Sequence, residues 1–181
     1  MILRKSALAA ALVVLAGAAL AQPKPKEQCA TQGGQFAELR YCVNSAKAAE
    51  GELAFGPEAF VSGEGGKVWC EGVVGYGIGE TVTLHFKPGL RLQEFAIRNG
   101  YSKTPETFKD NSRVKLLRIQ TSDGFATIVT LPDKPEEYVV KLPRPVKPQW
   151  VRFSIVDIYP GERGSDTCIA GISPNLEQLN R

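Results

Sequence analysis

The chain has 181 residues, 43% of them hydrophobic and 23% charged, with 18 Gly, 12 Pro, four Cys and one His. That balance fits one ordinary globular domain and excludes a disordered or collagen-like chain. A single His, His85, removes zinc sites built on several His ligands and most His-dependent catalysis.

The N-terminus bears on compartment. Arg4 and Lys5 precede an apolar run over residues 7–20, and Ala19-Leu20-Ala21 stands before Gln22. A basic start, a short apolar stretch and small residues at the minus-three and minus-one places describe a secretory signal peptide cleaved after Ala21. The run is shorter than the roughly 20 residues that cross a bilayer, so no membrane span is expected in the mature chain. No Cys stands at the cleavage point, Cys29 lying too far downstream, and a lipid anchor there is not expected. Cleavage leaves 160 residues with 20 basic against 19 acidic side chains, a net charge of +1 rather than +3. A nearly neutral chain does not argue for nucleic acid. The expected location is exported, periplasmic or secreted.

All four cysteines, Cys29, Cys42, Cys70 and Cys168, survive that cleavage and enter an oxidising compartment, where an even number reads as two disulfides. Three pairings are possible. The one expected is Cys29–Cys42, a local clip, with Cys70–Cys168, which ties an early strand to the C-terminal one. On the loop-entropy model these contribute roughly 3 and 4–5 kcal/mol. No Cys-x-x-Cys occurs and no second His is present, so no metal site is expected.

Residues 22–26 are Pro- and Lys-rich and read as an unordered leader; residues 29–66 are Gly- and Ala-rich, with one short helix expected near 44–50, capped by Asn44 or Ser45. After Gly66 the texture changes to short apolar stretches. In Thr81-Val82-Thr83-Leu84-His85-Phe86 the apolar residues alternate, leaving His85 on the polar side. A strand over 92–97 follows, then 113–121 and 125–131 flanking Ser122-Asp123-Gly124, the strongest hairpin signal in the chain. Residues 138–142 alternate; Pro143, Pro145 and Pro148 are expected to break the chain before a strand over 150–159. There the apolar phase slips from Val151, Phe153 and Ile155 to Val156 and Ile158, which predicts a bulge or burial on both faces. Six or seven strands with no long amphipathic helix indicate an all-β, antiparallel sandwich or jelly roll.

Several stretches in order carry a resemblance. Phe55-Gly56-Pro57-Glu58-Ala59-Phe60-Val61-Ser62-Gly63 is followed by Trp69, then by Gly75-Tyr76-Gly77-Ile78-Gly79-Glu80. Asn99-Gly100-Tyr101, Asn111-Ser112-Arg113-Val114-Lys115, Tyr159-Pro160-Gly161 and Asp166-Thr167-Cys168-Ile169 complete the set. Together they resemble the discoidin-like, galactose-binding-fold β-sandwich of the NADase-type glycan-binding type, over about two-thirds of the chain. The resemblance implies a jelly-roll sandwich and a non-catalytic role in binding a glycan or cell-envelope polysaccharide, with no cofactor. Where such domains often read Asn-x-x-Asp-Gly and Thr-x-Trp, this chain has Ala59-Phe60-Val61-Ser62-Gly63 and Lys67-Val68-Trp69, and Gly171 stands where an acidic residue is common. These departures favour an alternative, a protein-interaction or structural module with an envelope partner and no sugar site.

Sugars are held by amide and carboxylate groups on their hydroxyls and by a ring against the apolar pyranose face. In the long loop over 99–111, which also carries Lys103, Glu106, Lys109 and Asp110, Asn99, Tyr101 and Asn111 supply that chemistry. Neighbouring Arg113 offers a partner for a carboxylated sugar. The competing role for the same residues is capping turns and packing the loop down. Trp69 and Trp150 are candidate sugar platforms; Trp69, beside Cys70, is expected in the core instead, packed on a disulfide, while Trp150, which begins a strand after a Pro-rich loop, is open to either role. Gly75-Tyr76-Gly77-Ile78-Gly79 precedes a strand rather than a helix, so it reads as a turn, not a phosphate loop. No Gly-x-Ser-x-Gly occurs, and no carboxylate pair is placed by spacing, so an enzyme is not expected. The expected organisation is a signal peptide over 1–21, a Cys-clipped segment over 22–53, the sandwich over 54–175 and a tail over 176–181.

Overall fold

The computed structural model describes residues 26–33, 38–62 and 67–175. The expected signal peptide and C-terminal tail lie outside these residues. No helix among the described residues is long and apolar enough to cross a membrane.

The described residues form ten strands in chain order: β1 (Gln28–Gln32), β2 (Leu39–Val43), β3 (Trp69–Cys70), β4 (Thr81–His85), β5 (Leu92–Asn99), β6 (Ser112–Thr121), β7 (Ala126–Thr130), β8 (Glu137–Val146), β9 (Trp150–Tyr159) and β10 (Thr167–Pro174). Their hydrogen-bonded order is β1-β2-β4-β9-β6-β10-β5-β8, with β3 added to β10 and β7 to β6. Strand β6 is the pivot. One edge pairs with β9; the other is shared by β7 and, at its start, by β10 in parallel. The order then folds over on itself. Phe95 of β5 meets Phe153 of β9 edge-on at 5.3 Å, although the two strands are not hydrogen-bonded neighbours. The outcome is the expected two-layer sandwich, with Val82, Leu84, Phe95, Ile97, Leu117, Ile119, Val151, Phe153 and Ile155 buried between the layers. Burying each such side chain is worth about 1.5–3 kcal/mol, which is what closes the layers on each other.

Both expected disulfides form, Cys29–Cys42 and Cys70–Cys168. Cys29 and Cys42 face each other across β1 and β2, and Cys70 and Cys168 across β3 and β10. Trp69 is buried as expected, its indole N–H donating to the Ser45 carbonyl at 2.9 Å. The expected irregularity in β9 is present too. Its pairing with β6 shifts between Val114, Leu116 and Leu117, which realigns the strand where its apolar phase slips.

Four expectations are corrected. Residues 44–50 form no helix, because their polar groups are claimed by other strands. Asn44 donates to the Glu80 carboxylate at 2.9 Å and accepts from the Thr81 amide at 2.7 Å, while the Lys47 amide donates to the Cys70 carbonyl. Pro143 and Pro145 do not end their strand. β8 runs through them because it sits at the end of the sheet order, and its register jumps from Glu94↔Lys141 to Leu92↔Val146, so neither proline owes a ladder N–H. The segment over 22–53, expected ahead of the sandwich, contributes its edge hairpin: β2 pairs with β4 from Arg40↔His85 to Val43↔Val82. Finally, the loop over 99–111 contains a helix, α1 (Pro105–Asp110).

Candidate functional site

Strand direction gathers the longer loops at one end of the sandwich. β5 and β9 finish there, β6 and β10 begin there, and the turn after β7 returns there, since the Leu131 amide donates to the Lys115 carbonyl. The α1 loop is built from local chemistry. Thr104 caps α1: its hydroxyl accepts from the Thr107 amide at 3.2 Å, and the Thr107 hydroxyl accepts from the Thr104 amide at 2.9 Å. Pro105 opens the first turn, where a missing N–H costs nothing. At the other end Asn111 donates its side-chain amide to the Thr107 carbonyl at 2.9 Å.

The helix returns against β6 because the chain lets it come close. Gly100 has φ +71°, and a Cβ there would sit 2.5 Å from the Arg113 Cγ. Gly161 approaches from the β9–β10 loop, where a Cβ would fall 2.3 Å from the Asp110 carbonyl oxygen. Phe108 is buried beneath this turn, with the Arg113 guanidinium 5.2 Å over its ring.

The four residues expected to meet a sugar are brought close together, but they face different ways. Asn99 is 3% exposed. Its amide donates to the Val114 carbonyl at 2.7 Å and its oxygen accepts from the Val114 N–H at 3.0 Å, a side chain acting as a strand partner. Tyr101 is 8% exposed and packs edge-on to Phe55 at 6.3 Å, in a small cluster with Val68 and the Cys70–Cys168 disulfide. Asn111 closes α1. Of the four, Arg113 lines a cavity between α1 and the turn over 131–135, and its nitrogens are already engaged. Nε and Nη2 donate to the two carboxylate oxygens of Asp133 at 2.9 and 2.7 Å, and Nη1 to the carbonyls of Asn111 and Pro160 at 3.0 and 3.2 Å.

That cavity has a volume of about 520 Å³ and lies between α1 and the turn over 131–135. Pro105, Phe108 and Pro135 form its apolar walls, the Arg113–Asp133 pair its polar floor, and Lys103 and Lys109 its basic margin. Asp133 and Pro135 had no sequence signal: they lie some twenty residues from Arg113, in a Pro-Asp-Lys-Pro turn that reads as an ordinary connection.

A second rim loop, over 71–80, is the expected turn. Gly75, Gly77 and Gly79 take positive φ of 105°, 63° and 93°. Its root is the fully buried Glu71, whose carboxylate accepts from the Val73 N–H at 2.8 Å and the Thr167 N–H at 3.2 Å. Burial pushes the Glu71 carboxyl above the usual carboxylate range, against those two hydrogen bonds. Val74, Tyr76 and Ile78 project from the loop into solvent, Tyr76 45% exposed. His85 and Trp150 pair at the opposite end of the sandwich, both half-buried. Among the described residues the one three-ligand metal-type grouping is Glu27, Cys29 and Cys42, and its two sulfurs are joined in a disulfide.

The fold has solved counterparts. It is similar to the family 32 carbohydrate-binding module of C. perfringens NanJ, solved in complex with galactose, at 15% identity and TM-score 0.55, over 75% of this chain and 92% of that one. It is similar to the family 32 module of Streptococcus pneumoniae EndoD at 13% identity and TM-score 0.53, over 74% and 94%. It also matches a part of the arabinofuranosyltransferase AftD from Mycobacteria at 15% identity and TM-score 0.59, spanning 83% of this chain but 11% of the transferase. Likeness at these identities establishes the fold. No curated protein matches the sequence. The model of one family, described as the NAD glycohydrolase translocation F5/8 type C domain, matches residues 33–175, and the chain belongs to that family.

Proposed function

We propose that the protein is an exported, non-catalytic glycan-binding module whose sugar site is the rim cavity between α1 and the turn over 131–135. The observation that carries this reading is the cavity itself: about 520 Å³, walled by Pro105 and Pro135 and provided with charged groups at its floor and margin. Two features support it from outside the cavity. Structures of the same fold are carbohydrate-binding modules, one solved with galactose and another with GalNAc. Two disulfides suit a chain that folds in an oxidising compartment. In this reading Arg113 holds the floor of the site, while Asn99, Tyr101 and Asn111 shape its loop from behind.

Isothermal titration with galactose- and GalNAc-terminated oligosaccharides, together with an array of peptidoglycan and lipopolysaccharide sugars, tests it. Saturable binding that is lost when Asp133→Ala and Pro135→Gly open the cavity is the expected result. Absence of binding across the array refutes it. A second reading, an envelope protein-interaction module, is favoured by the solvent-facing Val74, Tyr76 and Ile78 on a loop pinned by Glu71. Co-purification of a stoichiometric partner that is lost on Val74→Ser/Ile78→Ser selects that reading.

A further inference from the structure

The charges around the rim cavity are unevenly matched. Elsewhere on the same rim three cations are held by acids: Lys47 to Asp166 at 2.8 Å, Lys115 to Asp157 at 2.8 Å and Arg163 to Asp110 at 3.5 Å. Inside the cavity Arg113 and Asp133 neutralise each other through two parallel hydrogen bonds. Lys103 and Lys109 remain. Both are exposed, both line the cavity, and neither reaches an acid in an ion pair among the described residues.

The nearby acids do not fill that gap. Asp110 faces Arg163. Glu106 sits in the first turn of α1, where the hydrogen bonds of its own backbone and of Thr104 hold its carboxyl below the usual range, with Lys109 adding only an attraction through space. Glu136 and Lys134, in the neighbouring turn, lie outside the lining. The lining therefore carries three cations against one anion, beside two proline rings that suit the C–H face of a pyranose.

We infer that the cavity takes an acidic sugar, a pyranose whose carboxylate lies between the Lys103 and Lys109 ammonium groups while its apolar face rests on Pro105 and Pro135. This rests on the glycan-binding reading above and narrows it from sugars in general to anionic ones. A lysine ammonium is a mobile point charge, and two of them at the mouth of a partly apolar cavity favour a single anion over a neutral hydroxyl face.

The test is titration of the full chain with oligogalacturonate, with the matching neutral oligogalactoside and with a galactose 6-sulfate oligosaccharide. The uronate is expected to bind at least about tenfold more tightly than the neutral ligand, and to lose most of that advantage as salt rises from about 20 to about 200 mM. The double substitution Lys103→Gln/Lys109→Gln, at exposed positions that leave the thermal midpoint in place, is expected to abolish the preference. Equal or tighter binding of the neutral sugar, or an unchanged preference in the double variant, overturns the acidic-sugar inference and leaves the glycan reading standing. Preference for the sulfate ester over the uronate overturns the carboxylate assignment. Failure of all three ligands and of the wider array overturns both.

Discussion

Asn99 shows how a polar side chain becomes part of the framework. It ends β5 beside a gap on the edge of β6 away from β9: β10 pairs there as far as Arg113 and β7 from Leu116, so Val114 has no strand partner on that edge, and the Asn99 amide supplies both a donor and an acceptor. Asn99→Ala leaves a buried N–H and a buried carbonyl unpaired, at a cost of roughly 1–3 kcal/mol. A lower midpoint in urea or heat denaturation is the expected outcome. An unchanged midpoint together with lost glycan binding would move Asn99 from the framework to the ligand. The same distinction explains why residue type alone did not separate the buried rim residues from the exposed ones. Asn, Tyr and Arg bond sugar hydroxyls and backbone with the same groups, and burial, which a sequence does not display, decides between them. Tyr101 was drawn inward by the apolar environment of Phe55 and the Cys70–Cys168 disulfide. Arg113 was drawn to Asp133 by a match of guanidinium to carboxylate geometry.

At the scale of the element, α1 is the part of the rim that local sequence could have announced. Thr104-Pro105-Glu106-Thr107 holds a cap, a proline at the first helical position and a reciprocal partner three residues on. The helix spans six residues, far below the length at which helices stand alone, so its cap and the burial of its own Phe108 carry it. Thr104→Ala is expected to cost about 1 kcal/mol and to lower the thermal midpoint by about 2–4 °C. It should also speed amide exchange across residues 104–110, in advance of the sandwich core. Exchange no faster than in the unaltered protein would show that tertiary packing alone holds the helix. The reverse error occurred at residues 44–50, where helix-like composition was overridden because Asn44 and Ser45 had better partners in Glu80 and Thr81. β8 makes the third case: prolines that read as breakers are admitted when a strand lies at the sheet margin.

For the whole molecule, the two disulfides act on different lengths of chain. Cys29–Cys42 closes 13 residues at the margin of the sheet, and Cys70–Cys168 closes 98, joining β3 to the last strand beneath the rim. Paired Cys→Ala substitution should therefore destabilise by roughly 4–5 kcal/mol at Cys70/Cys168 and roughly 3 kcal/mol at Cys29/Cys42. Equilibrium unfolding in denaturant reads the difference, and equal or reversed losses would mean that strain or residual structure in the unfolded chain outweighs loop entropy. The sequence by itself determined the class of fold, the core face of β4 and the hairpin around Asp123, because period-two alternation and turn chemistry are local properties. It also determined that four cysteines would join in pairs. Tertiary structure alone decided which rim residues face solvent. The cavity owes its walls to Pro105 and Pro135 and its floor to Arg113 and Asp133, brought together where the turn after β7 returns beside the start of β6. Contacts between residues so far apart in the chain follow from sheet order, which no local pattern encodes.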